Sequence, residues 1–266
     1  MKLKIIIILF FVSCIDIITY ESVFNSLYFS GGSWIELQNF DQMKIDSNSN
    51  DFSLQFWISG GEVDTNQAPA LFSIVDSIGN VSISILRDPN ANNKIIPILN
   101  SQIYSEELEN VDFSNPDKFY LISILFSNDS NIKCYIDSTM FEYEIENSIN
   151  YDNKLLVVGA IGNKERSTLK NFWYGYIDEI RLWNTHLSDT TIIFQSKFPS
   201  KVGDNYRYTN LDDMEIPSYL DSLVGIWRLN FESAQIMIND DSNNNYHGNI
   251  FNLPGFSIQL SDKGAE

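Results

Sequence analysis

The stretch that decides the fold is Phe172-Trp173-Tyr174-Gly175-Tyr176-Ile177-Asp178-Glu179-Ile180-Arg181-Leu182-Trp183. Aromatic and β-branched residues dominate it, and these residue types favour strands. Because successive side chains of a strand point to opposite faces, the stretch predicts two faces. One carries Phe172, Tyr174, Tyr176, Asp178, Ile180 and Leu182, and the other carries Trp173, Gly175, Ile177, Glu179, Arg181 and Trp183. Asp178 is then the one charge on an otherwise apolar or aromatic face.

Similar short segments lie on both sides of this stretch, divided by clusters of Asn, Asp, Ser and Gly. Such segments predict strands, here at 26–29, 34–38, 52–58, 70–75, 81–86, 119–126, 132–136, 140–145, 155–158 and 223–229. Residues 131–145 predict a hairpin that turns at Asp137-Ser138. Ser188 is suited to cap one short helix at 188–197, and 199–222 predicts a surface loop. We therefore expect an all-β fold of two stacked antiparallel sheets with one short helix.

Composition and charge limit the kinds of partner. The 266 residues are 44% hydrophobic and 14% aromatic, enough for a substantial core, and we expect one domain at 21–266. The formal net charge is −18. Nucleic-acid binding needs basic residues that neutralise phosphates, so this class of partner is excluded. Neutral or cationic partners fit the charge better.

The first 20 residues predict an export signal. Lys2 and Lys4 precede an apolar run from Ile5 to Ser13, the order found in secretory leaders. That run is shorter than the roughly 20 residues that cross a bilayer. Phe11-Val12-Ser13-Cys14 resembles a bacterial lipobox, in which Cys14 would be acylated and anchor the protein; an ordinary leader cut a few residues later is the alternative. The other cysteine, Cys134, predicts a small buried apolar side chain.

The central stretch, taken with three further segments in order, carries a family resemblance. Those segments are Ser26–Leu37, Phe52–Ile58 and Leu223–Asn230, and Leu187-Ser188-Asp189 and Tyr246-His247-Gly248 add to them. Together they resemble the laminin-G-like domains of the concanavalin A-like lectin/glucanase superfamily. The resemblance implies a jelly-roll sandwich. It leaves function open, because this fold hosts lectins, adhesion modules and glycanases.

The same resemblance implies a calcium ion held by Asp178 together with backbone oxygens of the opening turn, around Gly31. Calcium takes six to eight oxygen ligands, which carbonyls of a glycine turn would suit. Related sequences often carry an acidic or amide residue just after that turn, where Ser33 and Trp34 stand here. A backbone N–H or a tyrosine hydroxyl is the alternative partner for Asp178.

Two further groups of residues are open to functional and structural interpretations. Glu179 and Arg181, with Trp173 and Trp183, would form a glycan-binding groove if the rings were exposed; otherwise they form a surface charge pair and core packing. Glu142, Glu144 and Glu146 alternate as the carboxylates of some glucanases of this superfamily do, or they are three solvated side chains. The run Asp240-Asp241-Ser242 with three asparagines predicts a turn, since it lacks the glycine and glutamate of a calcium loop.

Three functions follow as hypotheses. The first is an exported, non-catalytic module that binds a glycan or a surface protein. The second is a glycan hydrolase that uses Glu142, Glu144 and Glu146. The third is a structural surface protein. We expect the first, because the chain has no Gly-x-Ser-x-Gly, phosphate-binding or His-Glu-x-x-His motif.

Overall fold

The computed structural model describes residues 26–37, 43, 51–61, 67–76, 79–100, 102–127, 131–145, 154–162, 169–197, 222–229, 237–242, 244–261 and 263. The predicted leader with Cys14, the glutamate Glu146 and nearly all of the predicted loop at 199–222 lie outside these ranges. Within them, no helix is long and apolar enough to span a membrane.

The described residues form strands and one helix. The strands, in chain order, are β1 Ser26–Ser30, β2 Ser33–Leu37, β3 Phe52–Gly60, β4 Ala70–Val75, β5 Val81–Arg87, β6 Lys94–Leu99, β7 Gln102–Ile103, β8 Glu106–Glu107, β9 Tyr120–Phe126, β10 Asn131–Ile136, β11 Thr139–Glu144, β12 Leu155–Val158, β13 Tyr174–Trp183, β14 Leu223–Arg228, β15 Met237–Ile238, β16 Gly248–Asn252 and β17 Gln259–Ser261. The helix is α1, Asp189–Lys197.

The strands form two antiparallel sheets. The first has the order β11-β10-β9-β3-β13-β1-β17, with β14 also paired to β13. The second has the order β15-β16-β2-β12-β4-β5-β6-β7, with β8 also paired to β6. The fold is the jelly-roll sandwich that the sequence predicts. Each predicted strand is present, β13 beginning at Tyr174, and the shorter strands β6, β7, β8, β15, β16 and β17 were not predicted.

The core lies between the sheets. Strand β3 directs Leu54, Phe56 and Ile58 into it, and Phe56 stacks on Phe72 of the second sheet with ring centroids 5.0 Å apart. Burying one such side chain stabilises the fold by about 1.5–3 kcal/mol. Cys134 is also part of this core, where burial raises the pKa of its thiol to about 12. The prediction of a small buried side chain at Cys134 is confirmed.

The local turn and cap predictions are also confirmed. Strands β10 and β11 form the hairpin, and Asp137 occupies the left-handed region at its turn with φ of 53°. Helix α1 begins after Ser188, whose Oγ accepts a hydrogen bond from the N–H of Thr191 at 3.2 Å. This bond satisfies one of the free N–H groups of the first turn.

Candidate functional site

Strand β13 is the organising element of the site, and its pairing is irregular. It pairs with β3 over most of its length, while its other edge pairs first with β1 and then with β14. Ile177 faces Ile58, but Ile180 faces Phe56, so three steps on β13 match two on β3. This is a β-bulge, and the extra residue reverses the alternation of side chains that follow it.

The bulge corrects the predicted faces of the central stretch. Ile177 before it and Ile180 after it both lie in the core, although strict alternation places them on opposite faces. Tyr176, Glu179 and Arg181 therefore share the outer face of the first sheet, the face turned away from the core. Phe172 is not part of the strand and packs near Trp34 on the second sheet.

The two tryptophans of the predicted groove are buried. Trp173 is 1% exposed within the core, and Trp183 is 0% exposed beneath helix α1, with Leu187 and Ile192. The Nε1–H of Trp183 donates to Oε1 of Gln55 at 2.8 Å. A sugar cannot stack on rings that have no accessible face, so the expectation of ring stacking at these two residues is wrong.

Glu179 and Arg181 form a nearly buried charge network on the outer face. The Arg181 Nε–H donates to Oε1 of Glu179, and Arg181 is 1% exposed. Arg228 of β14 adds a second cation, with its Nε 3.6 Å from Oε2 of Glu179, and Asp241 lies 4.0 Å from Arg228. Removing one partner from such a network leaves an uncompensated charge. The network joins β13 to β14 through Glu179 and Arg228.

Asp178 and Gly31 do not meet around one ion. In the pairing of β1 with β13, Tyr174 faces Ser30, next to Gly31. Asp178 lies four residue steps further along β13, roughly 13 Å away at about 3.3 Å per step. Calcium ligands lie at about 2.3–2.6 Å from the ion, so the two residues cannot share it. Among the described residues, no group of three His, Cys, Asp or Glu side chains is placed to hold a metal ion.

The glutamates of the hydrolase hypothesis lie at the edge of the first sheet. Glu142 and Glu144 are exposed on β11, where Glu142 faces Lys133 of β10. A glycosidase needs two carboxyl groups on either side of a sugar held in the active site. An edge strand open to solvent does not form such an enclosure at these positions.

A set of aromatic rings that the sequence did not single out lies on the outer face, at the end of β13 away from α1. Tyr28 and Tyr176 face each other across β1 and β13, with ring centroids 4.9 Å apart. Phe119, just before β9, lies 6.4 Å from Tyr176. Between them is the small side chain of Ser59, which faces Tyr176 from β3. All three rings are half-buried. We call Phe119, Tyr176 and Tyr28 the aromatic row.

Two charged side chains meet over the aromatic row. Lys263, just after β17, places its Nζ 5.4 Å from the ring centroid of Tyr176. The same Nζ forms an ion pair with Oδ1 of Asp117, from the loop before β9. Tyr174 stands beside the row and packs over Gly31, where a Cβ would lie 2.0 Å from the Tyr174 ring. The absence of a side chain at Gly31 thus allows the Tyr174 ring to pack closely against the opening turn.

The only signal of the row in the sequence is the alternation of Tyr174 and Tyr176 on one face. The bulge lies beyond this pair, so their predicted placement is correct. Tyr28 and Phe119 come from distant strands, and their approach depends on the register of β1, β3 and β9. Lys263 and Asp117 have no distinguishing context in the sequence.

Comparisons with known proteins bear on the fold. A laminin-G family model of the concanavalin A-like lectin/glucanases superfamily matches residues 29–193. A "putative carbohydrate binding protein" from Bacteroides ovatus is 11% identical with a TM-score of 0.52, and the match covers 89% of this chain and 59% of that one. A mutant of the NanB sialidase from Streptococcus pneumoniae is 16% identical with a TM-score of 0.50, covering 64% and 27%. No curated protein sequence matches. At these identities the structural likeness concerns the fold alone.

Proposed function

Because the chain belongs to the concanavalin A-like lectin/glucanases superfamily, we propose that it is an exported, non-catalytic module that binds glycans through the aromatic row. The observation that carries the proposal is the placement of the partly exposed rings of Phe119, Tyr176 and Tyr28 side by side on one sheet face. The Bacteroides ovatus protein, with its carbohydrate-binding description, is in line with it.

The rings suit a sugar for physical reasons. A pyranose ring has an apolar face of C–H groups, and the flat face of an aromatic ring offers matching apolar area with a negative quadrupole. The antiparallel strands hold the rings in place before a ligand arrives, so little side-chain freedom is lost on binding. The row has three rings, with neighbouring centroids 4.9 and 6.4 Å apart, and can therefore contact more than one sugar of a chain.

The binding function is preferred to the hydrolase because of the position of the carboxylates. Glu142 and Glu144 stand on the edge strand β11, whereas the aromatic row is centred on β13, with β10, β9 and β3 between these two strands. A glycosidase positions its substrate and its carboxyl pair at the same place. In this protein the ring surface and the glutamates are separated.

A glycan array with the mature chain, residues 21–266, tests the proposal. Tyr28→Ala and Tyr176→Ala should each weaken binding of the glycans identified by about tenfold, equivalent to about 1.4 kcal/mol. The matched control is Tyr104→Ala, which removes a half-buried tyrosine packed 4.7 Å from Tyr143 away from the row. Equal loss in the control, or retained binding in both row variants, would refute the site.

The hydrolase alternative is separated by a turnover assay. Wild type and Glu144→Gln are incubated with the polysaccharides that the array identifies, and released reducing ends are counted. The proposal expects no release from either protein. Hydrolysis by the wild type that the substitution abolishes would establish an enzyme instead.

Export is the remaining part of the proposal, and it rests on the leader at 1–20. Incorporation of labelled palmitate that is lost in Cys14→Ala would establish a lipid anchor. Recovery of an unlabelled chain from the medium would establish secretion without one.

A further inference from the structure

The aromatic row already holds a positively charged group from the protein itself. The Lys263 ammonium lies 5.4 Å from the ring centroid of Tyr176 and is paired with Asp117. The two residues come from opposite ends of the row, one after β17 and the other before β9. Lys263 is one third exposed and Asp117 is largely exposed, with side-chain values of 34% and 76%. The ammonium is therefore not locked in place by burial.

The combination of a ring face and a carboxylate is a recognition site for an ammonium group. The negative face of an aromatic ring attracts a cation, and a carboxylate adds a charge-assisted hydrogen bond. Lys263 makes both the contact with the Tyr176 ring and the ion pair with Asp117. Its flexible side chain does not, however, supply a flat apolar face. A ligand with an ammonium and a flat C–H face would make both polar contacts and also cover Tyr28 and Phe119.

The charge of the whole chain favours the same class of ligand. The chain has 35 acidic and 17 basic residues, a formal net charge of −18. Such a field repels sulfated or carboxylated glycans and raises the local concentration of cationic ones. If a ligand ammonium replaces Lys263 at Asp117, the Asp117 carboxylate remains paired with a positive charge.

We propose that the aromatic row binds glycans of unacetylated amino sugars, and that Lys263 is an internal competitor that the sugar ammonium displaces. The proposal rests on the proposed function and names the ligand class for that site. In the free protein the row is occupied by Lys263; in the complex the sugar ammonium pairs with Asp117 and the sugar face covers the rings. The observed affinity is then lowered by the fraction of molecules in which Lys263 occupies the row.

The test is calorimetric titration of the mature chain with two probes, the hexamer of glucosamine and the hexamer of N-acetylglucosamine. Mildly acidic buffer keeps the amines of the first probe protonated. The wild type should bind the glucosamine hexamer at least about tenfold more tightly. Lys263→Ala should tighten that binding by roughly threefold to tenfold, because the competitor is gone. Asp117→Asn should weaken it by about tenfold and remove the preference between the probes.

Matched controls come from a second ion pair, in which the lysine has nearly the same exposure as Lys263 and the aspartate is less exposed than Asp117. Lys94, with a side chain 35% exposed, lies 3.9 Å from Asp88 on the second sheet. Lys94→Ala and Asp88→Asn alter the net charge by the same amounts as the test variants and should leave both affinities within about twofold. Equal effects in these variants would show that net charge alone acts, and would overturn the role of Lys263 and Asp117.

The remaining outcomes separate this inference from the proposed function. If Lys263→Ala binds the glucosamine hexamer as weakly as the wild type or more weakly, Lys263 does not compete with the sugar. If the wild type binds the two hexamers equally and Tyr176→Ala binds neither, the preference for unacetylated amino sugars is refuted. The glycan-binding site at the aromatic row is then retained. Absence of binding to either hexamer overturns this inference, and a glycan array without hits then overturns the proposed function as well.

Discussion

Replacing Asp240 by alanine should destabilise the protein strongly, because this carboxylate is a buried acceptor for several backbone groups. Asp240 is 5% exposed. Its Oδ1 accepts the N–H of Ile226 at 3.0 Å and the N–H of Ser242 at 2.9 Å. Its Oδ2 accepts the N–H of Tyr246 at 3.0 Å. The aspartate thus joins β14 to the turn before β16, in the segment that the sequence predicts as an asparagine-rich turn.

The size of the effect follows from these three bonds and from a fourth, which the Ser242 Oγ–H donates to Oδ2 at 2.7 Å. A hydrogen bond to a charged group contributes about 1.5–3 kcal/mol, and a buried N–H left without an acceptor costs about 1–3 kcal/mol. Water can reach the N–H of Tyr246, which is only half-buried. We therefore expect Asp240→Ala to lower the free energy of unfolding by about 3–5 kcal/mol, at the upper end for single substitutions. Asp240→Asn keeps one carbonyl oxygen for Ile226 and Ser242, and should cost about 1–3 kcal/mol.

Equilibrium unfolding in urea measures both variants, with the midpoint and the slope compared with wild type. Asp241→Ala is the matched control, because its partly exposed carboxylate lies 4.0 Å from Arg228 and such pairs contribute only about 0–1 kcal/mol. An Asp240→Ala protein within about 1 kcal/mol of wild type at an unchanged slope would refute the reasoning.

Three further predictions concern the sequence-based site and the pH response. Trp183→Phe removes a buried N–H···O bond to Gln55 and should cost about 2–3 kcal/mol in unfolding free energy without altering glycan affinity; a selective loss of affinity would restore Trp183 as a ligand contact. Burial, and secondarily the nearby Lys133 charge, lowers the pKa of His186 from its ordinary value of 6.5. As the pH falls, the unfolded chain therefore takes up a proton at this residue before the folded chain does. The free energy of unfolding then decreases as the pH drops below about 6.5. His186→Gln should flatten that decline in urea titrations between pH 8 and 5, and an identical pH profile would contradict it. Calcium binding at Asp178 stays a prediction: it requires a rise in Tm with calcium that Asp178→Asn removes, and a Tm that calcium leaves unmoved counts against it.

Much of the fold could be predicted because its signals are local. The alternation in Phe52–Phe56, the Asp137-Ser138 turn and the Ser188 cap each act within a few residues, and each is confirmed. Short strands such as β7 and β15 have two residues apiece, too few for an alternating pattern to be recognised. Strand β6 contains Pro97, which weakens any prediction of a strand from sequence.

The candidate site was predicted only in part, for a reason that the bulge illustrates. A period of two assigns every residue of β13 to a face, and one extra residue reverses all assignments that follow. Tyr176, before the bulge, was placed on the correct face. After the bulge, Ile180 was predicted on the face of Tyr174 but lies in the core with Ile177. Trp183 was predicted on the face of Ile177 but lies on the opposite face. The burial of Trp183 depends further on α1, which packs over that half of the sheet.

The amino-acid sequence by itself determined the all-β class, the position of the central strand, and the helix with its cap. These properties follow from residue types and from neighbouring residues. Only the tertiary structure decided which aromatic residues are accessible and that Phe119, Tyr176, Tyr28, Lys263 and Asp117 meet. Their contacts join four separate parts of the chain, and the pairing register that joins them is set by the packing of the whole sandwich rather than by any one segment.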